Sequence, residues 1–166
     1  MLLRFFLPIY RFLIRKIYNF KYRFQKFVLK KSYNVTHAIN EQNILFSHFK
    51  LDRNNGLYLI NEVVTKLFKT TYQERKGMFS EHLVLFSSIA KNNKNIKNIL
   101  EIGTYDGKTS LILSELFPTA QITTIDLPKN SKDFKNSYLR NFDNNAFVIN
   151  RNKILKKSKR IKFRDS

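Results

Sequence analysis

The sequence predicts an α/β fold, an open sheet of about three parallel strands preceded by helices. Three observations predict it. Ile99-Leu100-Glu101-Ile102 is a short apolar run of the kind that fills a buried parallel strand. Gly103-Thr104-Tyr105-Asp106-Gly107 breaks that run, and Thr109 to Phe117 resumes with helical spacing until Pro118 stops it. Gln121 to Ile125 is a second β-rich run, and it ends on Asp126. Strand, glycine turn, helix, strand and acid in that order make a βαβ unit of roughly 30 residues.

Composition bounds the rest. The 166 residues fit one domain plus an appendage, and 43% hydrophobic content can fill a packed core. No Cys is present, which excludes disulfides, thiolate chemistry and Cys-based metal sites. His37, His48 and His82 are scattered without metal-ligand spacing, so no metal site is expected. The absence of Cys is consistent with a cytoplasmic protein. The net charge of +19 suggests an anionic partner such as a membrane surface, nucleic acid or polyanionic glycan. The joint richness in Lys, Asn, Ile, Phe and Tyr is also what an AT-rich gene encodes.

Residues 1–31 carry nine Lys or Arg and no Asp or Glu. On a helical wheel Arg4, Arg11, Arg15, Arg23 and Lys26 gather opposite Phe6, Ile9, Leu13, Phe20, Phe24 and Phe27. This is a basic amphipathic helix, with Pro8 bending or delaying its start. No apolar run approaches 18 residues and no small-residue cleavage site follows, which argues against a spanning helix and a secretory signal. The face suits the plane of an anionic membrane, a peripheral placement, or packing on the domain.

Residues 32–78 read as a linker and helical region. Ser32 to Asn55 is polar, with one short element near Ile44 to Phe49, and Asn54-Asn55-Gly56 is a turn signal. Leu57 to Lys69 is predicted helical from Ile60, Val63, Val64, Leu67 and Phe68. Residues 79–166 form the partial sheet domain. Phe79 to Lys91 is predicted helical with Ser80 as its cap, and Glu81 and His82 near its start read as solvated capping residues. After Asp126, Leu127 to Ser131 is a loop, and Phe134, Tyr138, Leu139 and Phe142 permit a helix. Asn144 to Lys157 is predicted helical, and Arg160 to Phe163 alternates as a third strand would. The eight Lys or Arg between Arg151 and Arg164 read as a solvated face, and no nucleic-acid module accompanies them, so nucleic acid is not the expected partner.

The βαβ unit points to a nucleotide-like ligand. Ligands of an open parallel sheet sit beyond the carboxyl ends of its strands. Gly103 permits a tight turn, and Gly107 removes a Cβ that would block close approach of a ligand. The free N–H groups at the next helix start can hold a carboxylate or phosphate. Asp126 lies about 20 residues on, where an acid accepts hydrogen bonds from ribose hydroxyls. A dinucleotide fingerprint G-x-G-x-x-G would need glycines at Tyr105 and Lys108. A phosphate loop would need one at Ile102, so Gly107-Lys108-Thr109 misses that spacing by a residue. The pattern E-x-G-x-x-x-G with an acid ending the next strand is met fully by Glu101, Gly103, Gly107 and Asp126.

That pattern resembles motif I and the following acid of class I S-adenosyl-L-methionine (SAM)-dependent methyltransferases, and LEIGTYDGKTS looks like their small-molecule O-methyltransferase branch. The resemblance covers roughly residues 79–166 and implies a Rossmann-like sheet. It implies that Glu101 faces the methionine ammonium, that the backbone of Gly103, Thr104, Tyr105 and Gly107 lines the cofactor, and that Thr109 helps hold the methionine carboxylate. Asp126 would bind the ribose, and Asp165 and Ser166 would stand where the third strand contacts adenine. The helix before the first strand would cover the cofactor cleft. In such enzymes the first strand is central in a seven-stranded sheet and is paired on its other side. Only three strands are legible here, so the chain is expected to be an amino-terminal portion, to be completed by missing strands or a complementing chain, with no catalytic base assignable. The implied chemistry is methyl transfer from SAM to a small-molecule or sugar acceptor. The competing expectation is a non-catalytic protein that binds a membrane surface or polyanion through a degenerate half-fold.

Overall fold

A computed structural model describes residues 35–74, 80–93, 95–136 and 144–165, together with Phe20 and Phe24. The chain divides into two compact units, residues 1–45 and 46–166. In the first, Phe20 and Phe24 are helical and exposed, while the rest of the expected 1–31 helix lies outside the described residues. Phe79, the predicted start of a helix, and Tyr138, Leu139, Phe142 and Ser166 lie outside them too. No helix among the described residues is long and apolar enough to cross a membrane.

The elements in order are α1 (Val35–His48), α2 (Arg53–Phe68), α3 (His82–Asn92), β1 (Asn98–Ile102), α4 (Lys108–Leu116), β2 (Gln121–Asp126), α5 (Lys132–Asn136), α6 (Asn144–Leu155) and β3 (Ile161–Asp165). Where a linker with one short element was expected, α1 is a helix of 14 residues. Ile39, Gln42 and Phe46 form its half-covered stripe at helical spacing, which the many Asn residues mask in the sequence. Its end is a Schellman closure. Lys50 takes a left-handed φ of 56°, Leu51 N–H donates to Phe46 O at 2.7 Å, and Lys50 N–H donates to Ser47 O at 2.9 Å.

The helix expected from Leu57 begins four residues earlier, at Arg53. Asp52 is its N-cap, with a carboxylate that accepts from Asn55 N–H at 3.0 Å and from the Asn55 amide at 2.9 Å. Asn54-Asn55-Gly56 is therefore a first helical turn and not a loop. Gly56 faces α3 so closely that an added Cβ would meet the Ser88 side chain and lie 2.6 Å from Val84 O. Ser88 Oγ donates across this contact to Asp52 O at 2.7 Å. Ser80 does not cap α3. Glu81 holds the N-cap position with helical dihedrals and no side-chain cap bond, while Ser80 O accepts from Leu83 N–H and from the Tyr72 hydroxyl.

The three strands form one parallel sheet in the order β1-β2-β3, with Glu101 beside Thr124 and Asp126 beside Asp165. This is an open α/β arrangement. The core packs Ile60, Val63 and Val64 of α2, Leu83 and Val84 of α3, Ile112, Leu113 and Leu116 of α4, and Ile122 of β2, with Ile99 and Ile161 against it. Ile99, Ile122 and Ile161 share one ladder row, so the helices cover one face of the sheet. The expected buried first strand is therefore buried on one side alone. Leu100 is 62% and Ile102 82% exposed, because nothing among the described residues covers the second face. Arg160 closes the far end of α4, its guanidinium donating to Ser114 O in the last helical turn at 2.5 Å and to Pro118 O just beyond the helix. The third strand starts at Ile161, one residue later than expected, and runs on to Asp165.

Candidate functional site at the carboxyl pole of the sheet

The turn after β1 holds three left-handed residues in five, Gly103 at φ 96°, Tyr105 at 48° and Gly107 at 79°. Gly103 and Thr104 N–H groups donate to Ile125 O at 2.8 and 3.3 Å, which draws the turn over the end of β2. Gly107 N–H donates to Thr104 O at 2.9 Å, and Lys108 then opens α4. The two glycines differ in purpose. A Cβ on Gly103 would meet nothing within 4 Å, so the backbone there borders open space. A Cβ on Gly107 would lie 2.9 Å from Leu155 Cδ2. The expectation that Gly107 clears room for a ligand is thus corrected: it clears room for α6, and Gly103 is the open position.

Glu101 ends a chain of hydroxyls. Thr124 Oγ1 donates to Glu101 Oε2 at 2.6 Å, and the Ser110 hydroxyl donates to the same oxygen. Thr124 has one hydroxyl proton, so Thr104 donates to Thr124 across their 2.7 Å contact. The Thr104 side chain is buried in this network, and only its backbone faces the turn. Burial pushes the Glu101 carboxyl above its ordinary value of 4.5; the Ser110 and Thr124 hydroxyls pull it down, and the Asp106 and Asp126 charges push it further up. Asp106 accepts from Lys108 N–H at 3.0 Å through Oδ1 and pairs with Lys108 Nζ at 2.9 Å through Oδ2. Thr109, in the first turn of α4, is half-buried.

Asp126, at the end of β2, is held on both oxygens. Oδ1 accepts from Leu127 N–H at 2.9 Å and Oδ2 from Arg151 Nη1 at 3.2 Å. Its side chain is 9% exposed and that of Arg151 is 1% exposed. Arg151 lies 4.3 Å from the ring centre of Phe163 and 5.4 Å from that of Phe134. Phe134 meets Phe147 edge-on at 6.3 Å, and Phe147 meets Tyr105 at 5.4 Å. An aromatic row thus runs from the glycine turn to β3. Arg151 was expected on a solvated basic face; it is instead the most enclosed charge at this pole. The available signal was its spacing, four residues after Phe147 and four before Leu155, on the apolar side of α6. Helix α6 also stops at Leu155, two residues short of expectation. Asp165 stands exposed at the end of β3, one strand from Asp126.

The structure brings Glu101, Gly103, Thr104, Tyr105, Gly107, Thr109, Asp126 and Asp165 to one pole of the sheet. The concave surface lined by Ala90, Lys91, Glu115 and Phe117 lies at the opposite pole, because it is built from the carboxyl ends of α3 and α4. In a chain of net charge +19, Glu101, Asp106 and Asp126 form a local acidic group beside an open glycine turn. Asp106 is paired with Lys108 and Asp126 with Arg151, so within this group the half-buried Glu101 carboxyl is the acid placed to meet an ammonium or sulfonium. No protein-family model matches the chain, and no curated protein matches it with significance.

Proposed function

We propose that the chain binds S-adenosyl-L-methionine at the carboxyl pole of its sheet and belongs to a Rossmann-like methyltransferase acting on a small-molecule or sugar acceptor. One observation carries the reading: β1, the glycine turn and β2 bring the open backbone at Gly103 to the same strand ends as the half-buried Glu101 carboxyl and Asp126. Glu101 would take the ammonium, the Gly103–Gly107 backbone would border the cofactor, and Thr109 would receive the methionine carboxylate. Asp126 would take ribose hydroxyls, and Arg151 must yield part of its hold for it to do so. The cofactor, when bound, supplies an electrophilic methyl group. The part of this chain's residues is to align it and keep water away.

Isothermal titration with S-adenosylhomocysteine tests this reading. Saturable binding that is lost in Glu101→Gln, with the circular dichroism spectrum unchanged, supports it. A folded chain that takes up neither S-adenosylhomocysteine nor SAM overturns it. A second reading draws on Phe20 and Phe24, which are exposed four residues apart in a leader with nine Lys or Arg. The leader would hold the chain peripherally on an anionic membrane. Sedimentation with phosphatidylglycerol vesicles at low salt tests this, and absence of co-sedimentation rejects it.

A further inference from the structure

Parallel sheets occur almost only with both faces covered by helices. Here the core helices pack on the Ile99, Ile122 and Ile161 face and Arg151 of α6 reaches Phe163 on that same face, while Leu100 and Ile102 on the second face are covered by none of the described residues. The register orders that open face. Leu100, Thr123 and Lys162 form one row, and Ile102, Ile125 and Arg164 form the next. Each row starts apolar at β1 and ends in a cation at β3. No described strand pairs with the β1 edge beside it. Lys97 O and Gly103 N–H bond to β2, so the alternation of a parallel ladder turns the backbone groups of Asn98, Leu100 and Ile102 away from β2.

We propose that this face docks an acidic amphipathic helix of a partner polypeptide, with its apolar stripe on Leu100, Ile102 and Ile125 and its Asp or Glu residues on Lys162 and Arg164. A helix about 10 Å across covers two inter-strand spacings of about 4.8 Å each, which matches the distance from the apolar end of each row on β1 to its cation on β3. Charge chooses the occupant. A second copy would bring another +19 to the same surface, and the chain's own leader is basic. The inference stands apart from the cofactor reading, since none of these six side chains is assigned to SAM, and either can fail alone.

The test uses the full chain and a fluorescein-labelled synthetic peptide of about 18 residues, five helical turns, with a Leu/Ile stripe flanked by Glu. Its companions are the same peptide with Lys for Glu, and a scrambled Glu peptide lacking the stripe. Anisotropy should show the striped Glu peptide binding at least about tenfold tighter than either companion. The double variant L100K/I102K should lose that binding while its circular dichroism spectrum stays unchanged, as both side chains are exposed. K162E/R164E should shift preference to the Lys peptide, whereas K153E/K156E at the carboxyl end of α6 and just beyond it should leave it unchanged. Equal binding of the scrambled peptide, or indifference to L100K/I102K, overturns the proposal. So does a dimer in sedimentation velocity that L100K/I102K dissolves, which would assign the face to a second copy.

Discussion

Arg151 and Asp126 meet where α6 reaches the end of β2, with the guanidinium between two phenylalanine rings. Removing one member of such a pair strands the other charge in a dry site. Arg151→Met should therefore cost about 3–5 kcal/mol in urea unfolding. The pair R151M/D126N should recover much of that loss, because no unpaired charge remains. If R151M alone is neutral, the pair is more solvated than its geometry implies. Glu101 behaves differently. Burial above all raises its folded proton affinity over that of the unfolded chain. The stability this adds is full below the ordinary value of 4.5 and is lost as pH rises through the raised folded value. Glu101→Gln cannot ionise, so its stability relative to the parent should climb as pH is raised from acid to neutral. Urea midpoints measured across that range check the sign, and a flat difference would show that the carboxylate is solvated. A Gln variant more stable than the parent at neutral pH, yet unable to bind S-adenosylhomocysteine, would mark Glu101 as kept for binding at some expense of stability.

Among the elements, glycine does two kinds of work. Gly56 serves contact between helices, since α2 and α3 approach until a methyl group would overlap Ser88 and Val84 O. Gly56→Ala should cost about 1–3 kcal/mol, read as a drop in melting temperature, although alanine is the better helix former. Gly103 and Gly107 serve backbone conformation at positive φ. Gly103→Ala should cost about 1–2 kcal/mol for the left-handed backbone alone. Gly107→Ala should cost more, because its methyl group also meets Leu155. The ranking of the two in urea unfolding checks whether α6 truly rests on the turn. Equal losses would put Leu155 elsewhere.

At the level of the whole molecule, the described residues cover the sheet on one side. Leu100 and Ile102 gain little from folding because they stay exposed. L100K/I102K should then change unfolding free energy by no more than about 0.5 kcal/mol per site. It should also raise solubility, as measured by light scattering during concentration, since an open apolar edge strand invites pairing between chains. A large destabilisation would mean that the second face is covered in solution.

Much of this was legible along the chain. The βαβ unit could be read because each part announces itself locally: an apolar run, two glycines, a 3.6-residue period closed by Pro118, and a β-rich run ending in Asp126. The parallel third strand followed from its alternation, though one residue early. Helix α1 and the early start of α2 were hidden because Asn and Gly carry turn signals by local propensity, which in α2 Asp52 capping and contact with α3 override. Local pattern determined which residues gather at the carboxyl pole, since strand ends and turns are set by neighbours in sequence. Only the tertiary structure decided that Gly107 yields to Leu155, that Arg151 grips Asp126, and that one face of the sheet is left uncovered by the described residues. Each of those depends on which distant segment packs against which, and a charge or a glycine carries no record of that in its neighbours.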